Sequence, residues 1–552
     1  MHRIAAWRAA TAAIAASLIV LTVFAAAAND LATELRDFLE RGAVDAGGEA
    51  YETDLVLLTG FYEARGMAPL WVTPAGVTAN GRALAAALSA ARDDGLDPDD
   101  YGAAANVALL GATSPALLAE LEARLSLGLM GFAQDLGAGR LQPSEVDPEL
   151  FVYPQDVDPA GVLAAAAAGD DVAALVERYR PAHPTYRRLR ATLTGYRALA
   201  RVGGWPRVPT GPTLKPGMAD PRVAALRARL RAERDLVSDD DAAESAGDPA
   251  LYDPALEAAV RRFQGRHGLE VDGLVGPATL KALNVSVAGR VDQILLNMER
   301  RRWMPDDLPA RYIQVNLADF ALKLVTAERT VFVSRVVVGR PYHRTPVFLE
   351  EMTYLVVNPY WNVPNSIARK ELLPKIKADP GYLAAHNYDL LDGWSAEARH
   401  VDPQNVDWSA MTARNFPYRL RQGPGEGNAL GRLKFMFPNR FSVYIHDTPA
   451  RSLFNRPNRA FSHGCIRVEQ PSALAAVVLE GQNGWTLDDV ETQVASGERR
   501  IVRLDRPLMV GITYLTAWVN KDGTVHFRND VYGRDARLAE ALLGPRVRGR
   551  RR

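Results

Sequence analysis

Residues 441–467 read FSVYIHDTPARSLFNRPNRAFSHGCIR, and the reading of the C-terminal half turns on them. Phe441, Val443 and Ile445 alternate with Ser442, Tyr444 and His446. A strand of period two puts the apolar three on one face and the histidine on the other. The run stops at Asp447-Thr448-Pro449, so His446 is expected at a strand end. Fifteen residues separate His446 from Ser462-His463-Gly464-Cys465-Ile466-Arg467, a thiol flanked by glycine, histidine and arginine. Taken singly, a histidine at a strand end or a lone cysteine is more often packing than chemistry. Taken together they hold the parts of a nucleophilic site. A thiolate attacks, cationic neighbours raise its fraction, an imidazole takes the proton, and a glycine lets backbone N–H groups approach an oxyanion.

Cys465 is the sole cysteine of 552 residues, so it cannot pair within the chain. One cysteine with two nearby histidines shows neither HExxH nor CxxC spacing, and no metal is expected. Glycoside hydrolysis requires paired carboxylates across a sugar groove, and Asp447 and Glu469 beside the motif give no further sign of that. Apolar residues make up 48% and charged residues 24%, a globular balance that excludes disorder as the main state. The 65 basic and 65 acidic side chains cancel, so no global field draws the chain to nucleic acid. The length calls for roughly three or four domains.

Arg3 and Arg8 precede an apolar stretch that ends in Ala25–Ala28, the order of a secretory signal peptide over residues 1–28. An uncleaved membrane anchor is the rival, since the apolar run approaches bilayer-spanning length. From Asp30 to Arg201 alanine and leucine recur at helical spacing, with turns at Asp93-Asp94-Gly95 and a Pro/Gly linker from Pro206 to Pro216. Phe61-Tyr62-Glu63 and Trp71 are read there as packing residues. Leu256, Ala259, Val260 and Phe263 form one helical stripe ending near His267-Gly268, before turns at Asp272-Gly273 and Gly276-Pro277. After a helical segment at Val291–Trp303 the rhythm turns to strand near Arg311, as in Ile313, Val315 and Leu317. The strand rhythm breaks again between Ile367 and Met436, with a helical piece at Lys370–Lys377. An insertion of that length is a functional lid or a disordered segment, and Trp394, Trp408, Phe416 and Tyr418 favour the lid.

Two resemblances follow from these motifs. VRRFQGRHGLEVDGLVGPATLKAL, within 210–287, resembles the peptidoglycan-binding type 1 domain in its F-Q, G-L-x-x-D-G and G-P-x-T elements. His446 followed by S-H-G-C-x-R resembles the signature of the L,D-transpeptidase (YkuD-type) catalytic domain. The likeness extends to Gly339-Arg340, Thr345-Pro346, Asn358–Pro364, Thr516–Val519 and Asp530–Asp535, and the layout is similar to the large YcbB-like branch. The implied architecture is a multidomain α+β protein. It has a signal peptide (1–28), a helical scaffold domain (29–209), a three-helix peptidoglycan-binding module (210–287) and a helix returning to the scaffold (288–310). A mostly β catalytic domain (311–505) with a lid insertion (367–436) and a C-terminal segment with a basic tail (506–552) complete it.

The resemblance implies that Cys465 is the acyl-accepting nucleophile and His446 the proton donor and acceptor. His463 and Arg467 then support the thiolate, and Gly464 and Cys465 supply oxyanion N–H groups. Ser462, Tyr360, Trp361 and Tyr444 are implied substrate contacts. The implied enzyme is a transferase of cell wall biogenesis and cell shape, exported to the periplasm, without a cofactor. It would form 3→3 cross-links between diaminopimelate-containing stem peptides through a thioester, releasing D-alanine. The glycan would be held by the module, and carbapenems would acylate the same sulfur. An L,D-carboxypeptidase using the same thioester and a non-catalytic wall-binding scaffold are the alternatives.

Overall fold

The computed structural model describes residues 26–42, 49–237, 248–379, 381–395, 397–482 and 484–544. Most of the signal segment and the arginine-rich tail lie outside them. No helix among the described residues is long and apolar enough to cross a membrane.

The N-terminal region is helical, built around Pro115–Gly137. Ser114 caps it by accepting the Leu117 N–H, and Pro115 takes the first-turn position where a missing N–H costs nothing. The helix is surrounded, which buries Glu122 along with its leucines. That carboxylate accepts the backbone N–H of Trp71 at 2.8 Å and Val72 at 3.1 Å, and the Tyr62 hydroxyl at 2.6 Å. The Tyr62 and Trp71 motifs are therefore a polar clasp inside the scaffold, consistent with packing rather than chemistry.

Three helices, Arg222–Ala232, Pro254–Arg266 and Pro277–Leu283, make the next unit. Leu256, Ala259, Val260 and Phe263 are wholly buried, as the 3.6-residue period requires. Gln264 knits the two turns together: its amide donates to Asp272, the Leu274 carbonyl and Thr279, and its oxygen accepts the Gly273 N–H. The helix Val287–Arg302 then packs Ile294, Leu295 and Met298 against Tyr186, Leu189 and Leu193 of Pro184–Arg201. Its last turn is a joint. Glu299 accepts the N–H of Arg140 at 2.6 Å and Leu141 at 3.1 Å, while Arg300 pairs with Asp535 at 2.6 Å.

Among the described residues the C-terminal part forms a closed barrel of eight strands. In order around the wall these are Leu433–Met436, Ile445–His446, Ile466–Val468, Arg329–Gly339, Ala321–Thr326, Arg311–Asn316, Arg500–Thr513 and Val347–Val357. The ring closes because Leu433–Met436 also pairs with Tyr354–Val357 of the last strand. A ninth strand from the scaffold, Leu150–Phe151, runs parallel to Val347–Phe348 and brings buried Asp147 against Arg344 and Arg534, at 3.3 and 3.4 Å.

Three boundaries differ from the sequence reading. The lid does not extend to Met436, because Leu433–Met436 is barrel wall. The catalytic domain does not end at 505, because Arg500–Thr513 is one strand and the helix Arg534–Leu543 packs Leu538 and Leu542 into the barrel core. The strand expected from Phe441 begins only at Ile445, since Ser442 takes a left-handed φ of 56°. The described residues of the insertion fold into a unit of their own. Trp361–Asn362, Arg419–Gln422, Tyr388–Asp392 and Arg399–His400 form a separate sheet over a core of Val363, Leu372, Ile376, Leu390, Phe416 and Leu420.

Candidate active site

The two halves of the motif meet on neighbouring strands. Ile466–Val468 runs parallel to Ile445–His446, with His446 opposite Arg467, and Lys434 stands opposite His446 on the other side. The loop 462–465 therefore enters the barrel beside the histidine.

Gly464 sits at φ 116°, a conformation that side-chain-bearing residues rarely adopt. The loop around it is held by its own hydroxyl: Ser462 Oγ accepts the Gly464 N–H at 3.1 Å and donates to the Cys465 carbonyl at 2.5 Å. Ser462 is 2% exposed. Its hydroxyl is consumed inside the loop, so the implied substrate contact is replaced by a structural one. The Gly464 carbonyl accepts from Thr345 Oγ1 at 2.8 Å.

Cys465 is a half-buried free thiol. It donates to the Ser442 carbonyl at 3.7 Å, and the Tyr444 N–H and hydroxyl face the sulfur. Burial pushes the thiol up, and the Tyr444 donors, Lys434 and Arg467 pull it down without reversing the shift. The cationic neighbours act in the expected direction, toward the thiolate, but desolvation of the anion outweighs them. Lys434 Nζ lies 3.8 Å from the centre of the Tyr444 ring. Burial lowers the lysine, partly countered by Cys465. Arg467 is lowered by burial as well, and its buried Nε has no hydrogen-bond partner among the described residues.

His446 is buried, with Nδ1 2.5 Å from the Asp447 carbonyl. A carbonyl only accepts, so Nδ1 carries the proton and Nε2 is left as the base. Burial first, then Arg467, lowers this imidazole to about 3, while the Asp447 and Leu430 carbonyls act to raise it. It is neutral throughout the physiological range. No hydrogen bond joins His446 to Cys465 among the described residues. The Asp447 carboxylate in turn accepts the Arg432 N–H at 2.9 Å and so fixes the start of the strand Leu433–Met436.

His463 turns outward to the insertion, its Nε2 donating to Glu371 at 2.7 Å. Tyr360 is 40% exposed with Arg421 stacked 4.7 Å over its ring, whereas Trp361 is half-buried on the insertion's core. Sequence reasoning missed Lys434 and Glu371, both inside the stretch assigned to the lid. It quoted Thr345-Pro346 without giving Thr345 a role. The alternation in Leu433-Lys434-Phe435-Met436 was the available signal for Lys434. No group of three or more His, Cys, Asp or Glu that could hold a metal occurs among the described residues.

The comparisons with known families single out the segment that holds this barrel and loop. Residues 310–492 match the L,D-transpeptidase catalytic domain (YkuD), residues 56–193 a scaffold domain, and residues 219–283 the "Putative peptidoglycan binding domain" of type 1. Residues 310–492 are thus similar to an L,D-transpeptidase catalytic domain, and they follow segments similar to a scaffold domain and a peptidoglycan-binding domain. A Haemophilus influenzae protein named "Putative L,D-transpeptidase" is 39% identical over 248 residues, 45% of this chain. The alignment spans 48% of that relative, about half its length. Two solved L,D-transpeptidases also align. The one from Xylanimonas cellulosilytica is 18% identical, with 55% of this chain and 98% of that one covered at a TM-score of 0.18. The one from Stackebrandtia nassauensis is 14% identical, with 58% and 99% covered at a TM-score of 0.21.

Proposed function

We propose that this chain is a cysteine acyltransferase of the exported wall compartment, forming 3→3 cross-links between peptidoglycan stems. The observation that carries the reading is the Cys465 loop: a free thiol next to the strand of an oriented, unprotonated imidazole, with a backbone N–H that has no acceptor among the described residues. A raised thiol and a neutral imidazole favour proton transfer during attack rather than a standing ion pair.

Cys465 Sγ bonds to the carbonyl carbon of the diaminopimelate L-centre as its proton passes to His446 Nε2. Hydrogen bonds of this kind commonly tighten only in the complex with substrate. The oxyanion is received by the Cys465 N–H, a contribution of about 3–4 kcal/mol for one well-placed donor. Collapse breaks the bond to D-alanine, whose nitrogen takes the proton from His446, and leaves a thioester. The amine of a second stem attacks that thioester and gives its proton to His446, which passes it to the departing sulfur and so restores the thiol and the neutral imidazole. Peptidoglycan is also the ligand that residues 219–283 are suited to hold, and residues 1–28 supply the export signal to the periplasm.

Incubation with tetrapeptide stems is expected to release D-alanine and yield 3→3 dimers, read by mass spectrometry of muropeptides. A carbapenem is expected to add its mass to the protein. Cys465→Ala is expected to abolish both with the fold intact. An adduct retained by Cys465→Ala overturns the assignment, and tripeptides without dimers overturn transfer in favour of hydrolysis.

A further inference from the structure

The peptide that joins Gly464 to Cys465 is held from outside its own loop. Thr345 Oγ1 accepts the Gly339 N–H at 3.0 Å and lies 2.8 Å from the Gly464 carbonyl. The first partner only donates and the second only accepts, so of these two the hydroxyl proton can serve only Gly464, and the Tyr532 hydroxyl is a further neighbour of the Thr345 side chain. Thr345 is wholly buried. Its main chain is equally fixed: Arg534 donates to its carbonyl at 3.3 Å, and its N–H reaches the Tyr532 hydroxyl at 3.5 Å. That same hydroxyl donates to the Gly339 carbonyl at 2.6 Å. A Cβ on Gly339 would collide with the His343 carbonyl, so the segment 343–345 lies directly on the barrel strand.

No cis peptide occurs among the described residues. In a planar trans peptide the N–H points opposite to the C=O. Fixing the Gly464 carbonyl on Thr345 therefore also fixes the Cys465 N–H, on the side away from Thr345. Ser462 holds the next carbonyl, that of Cys465, and the Ile466 N–H donates to Tyr444 at 3.0 Å. The Cys465 N–H is left without an acceptor among the described residues.

We infer that the Thr345 hydroxyl is a positioning residue for acyl transfer, aiming the Cys465 N–H at the oxyanion by gripping the other end of the same peptide. The inference rests on the acyl-transfer reading above. It assigns a role to a side chain that need touch neither substrate nor sulfur. It also separates two properties of Cys465. Acyl transfer passes through a tetrahedral oxyanion and needs the aimed N–H, whereas alkylation by iodoacetamide displaces iodide from carbon and creates no oxyanion.

The test compares the full chain with Thr345→Val, which keeps the shape and loses the hydroxyl, and Thr345→Ser, which keeps the hydroxyl. Acylation by a carbapenem is followed by intact mass, and alkylation by iodoacetamide is followed on the same samples. Thr345→Val is expected to slow acylation about 10- to 100-fold, short of the loss of a whole donor. Its alkylation stays within about twofold of the parent, and Thr345→Ser restores acylation, as the retained hydroxyl requires. Unchanged acylation in Thr345→Val overturns the inference, as does an equal fall in both reactions, which marks general disorder of the loop. D-alanine release by the parent is measured alongside. Its absence, with carbapenem acylation still sensitive to Thr345→Val, supports the positioning role and overturns the cross-linking reading. A parent that takes no carbapenem overturns both.

Discussion

Glu371 of the insertion and His463 of the cysteine loop are joined by a hydrogen bond of 2.7 Å. No other hydrogen bond ties the insertion to residues 462–465 among the described residues. Glu371 lies in a π-turn, Ala368–Leu372, the kind of irregular turn that often marks functional positions.

Glu371→Ala is therefore expected to loosen the near edge of the insertion without unfolding the barrel. Amide hydrogen exchange over residues 366–378 should quicken, while global stability changes by about 0.2–1 kcal/mol, the scale of a solvent-accessible ion pair. Exchange identical to the parent protein would show that the contact does not hold the insertion.

The direction of the Cys465 shift gives a pH signature. Burial raises the thiol, so the neutral form persists to higher pH than in a free cysteine. Alkylation at pH 7 is expected to be slower than for free cysteine. It should climb about tenfold per pH unit into the alkaline range, because only the thiolate reacts. Lys434 lowers the thiol from the opposite side. Lys434→Met should raise it further and cut alkylation about 3- to 10-fold at fixed pH, with Lys434→Arg close to the parent, as the retained positive charge requires. A rate that levels off below pH 7 would contradict the burial argument.

Asp147 couples the scaffold to the barrel. Its carboxylate is fully buried and faces Arg344, Arg534 and Arg537 at 3.3, 3.4 and 3.3 Å. Arg534 is itself 2% exposed. Asp147→Ala leaves that guanidinium with a weakened set of partners in a dry site, and a loss of about 3–5 kcal/mol is expected, read by thermal or denaturant unfolding. A loss under 1 kcal/mol would mean that Glu149, 3.1 Å from Arg534, suffices alone.

The sequence was most legible where one period governs. Leu256, Ala259, Val260 and Phe263 recur at helical spacing and are all buried, and the short spacing of Ser462 to Arg467 brought its chemistry with it. Long-range pairing was less visible. Leu433–Met436 is four residues of wall between glycine- and proline-rich segments, too short for its alternation to stand out, and its partners at Tyr354–Val357 and Ile445–His446 reveal it. Pro507 reads as a strand breaker, yet it falls where the register shifts between Arg503 and Leu508, which lets Arg500–Thr513 run through. The net shift of the Cys465 thiol was hidden for a related reason. Arg467 counts as a charge in a sequence, but the desolvation that outweighs it belongs to the fold.

The pairing of Leu433–Met436 with Tyr354–Val357 has one more consequence. The chain leaves the wall after Val357 and rejoins it at Leu433, and these two residues are partners in the same ladder. The Asn358 N–H bonds the Arg432 carbonyl at 2.8 Å, so the seventy-odd residues between begin and end at a single doorway. Whatever hangs from that doorway can grow, shrink or be exchanged for a tight turn, and the cylinder behind it keeps every rung.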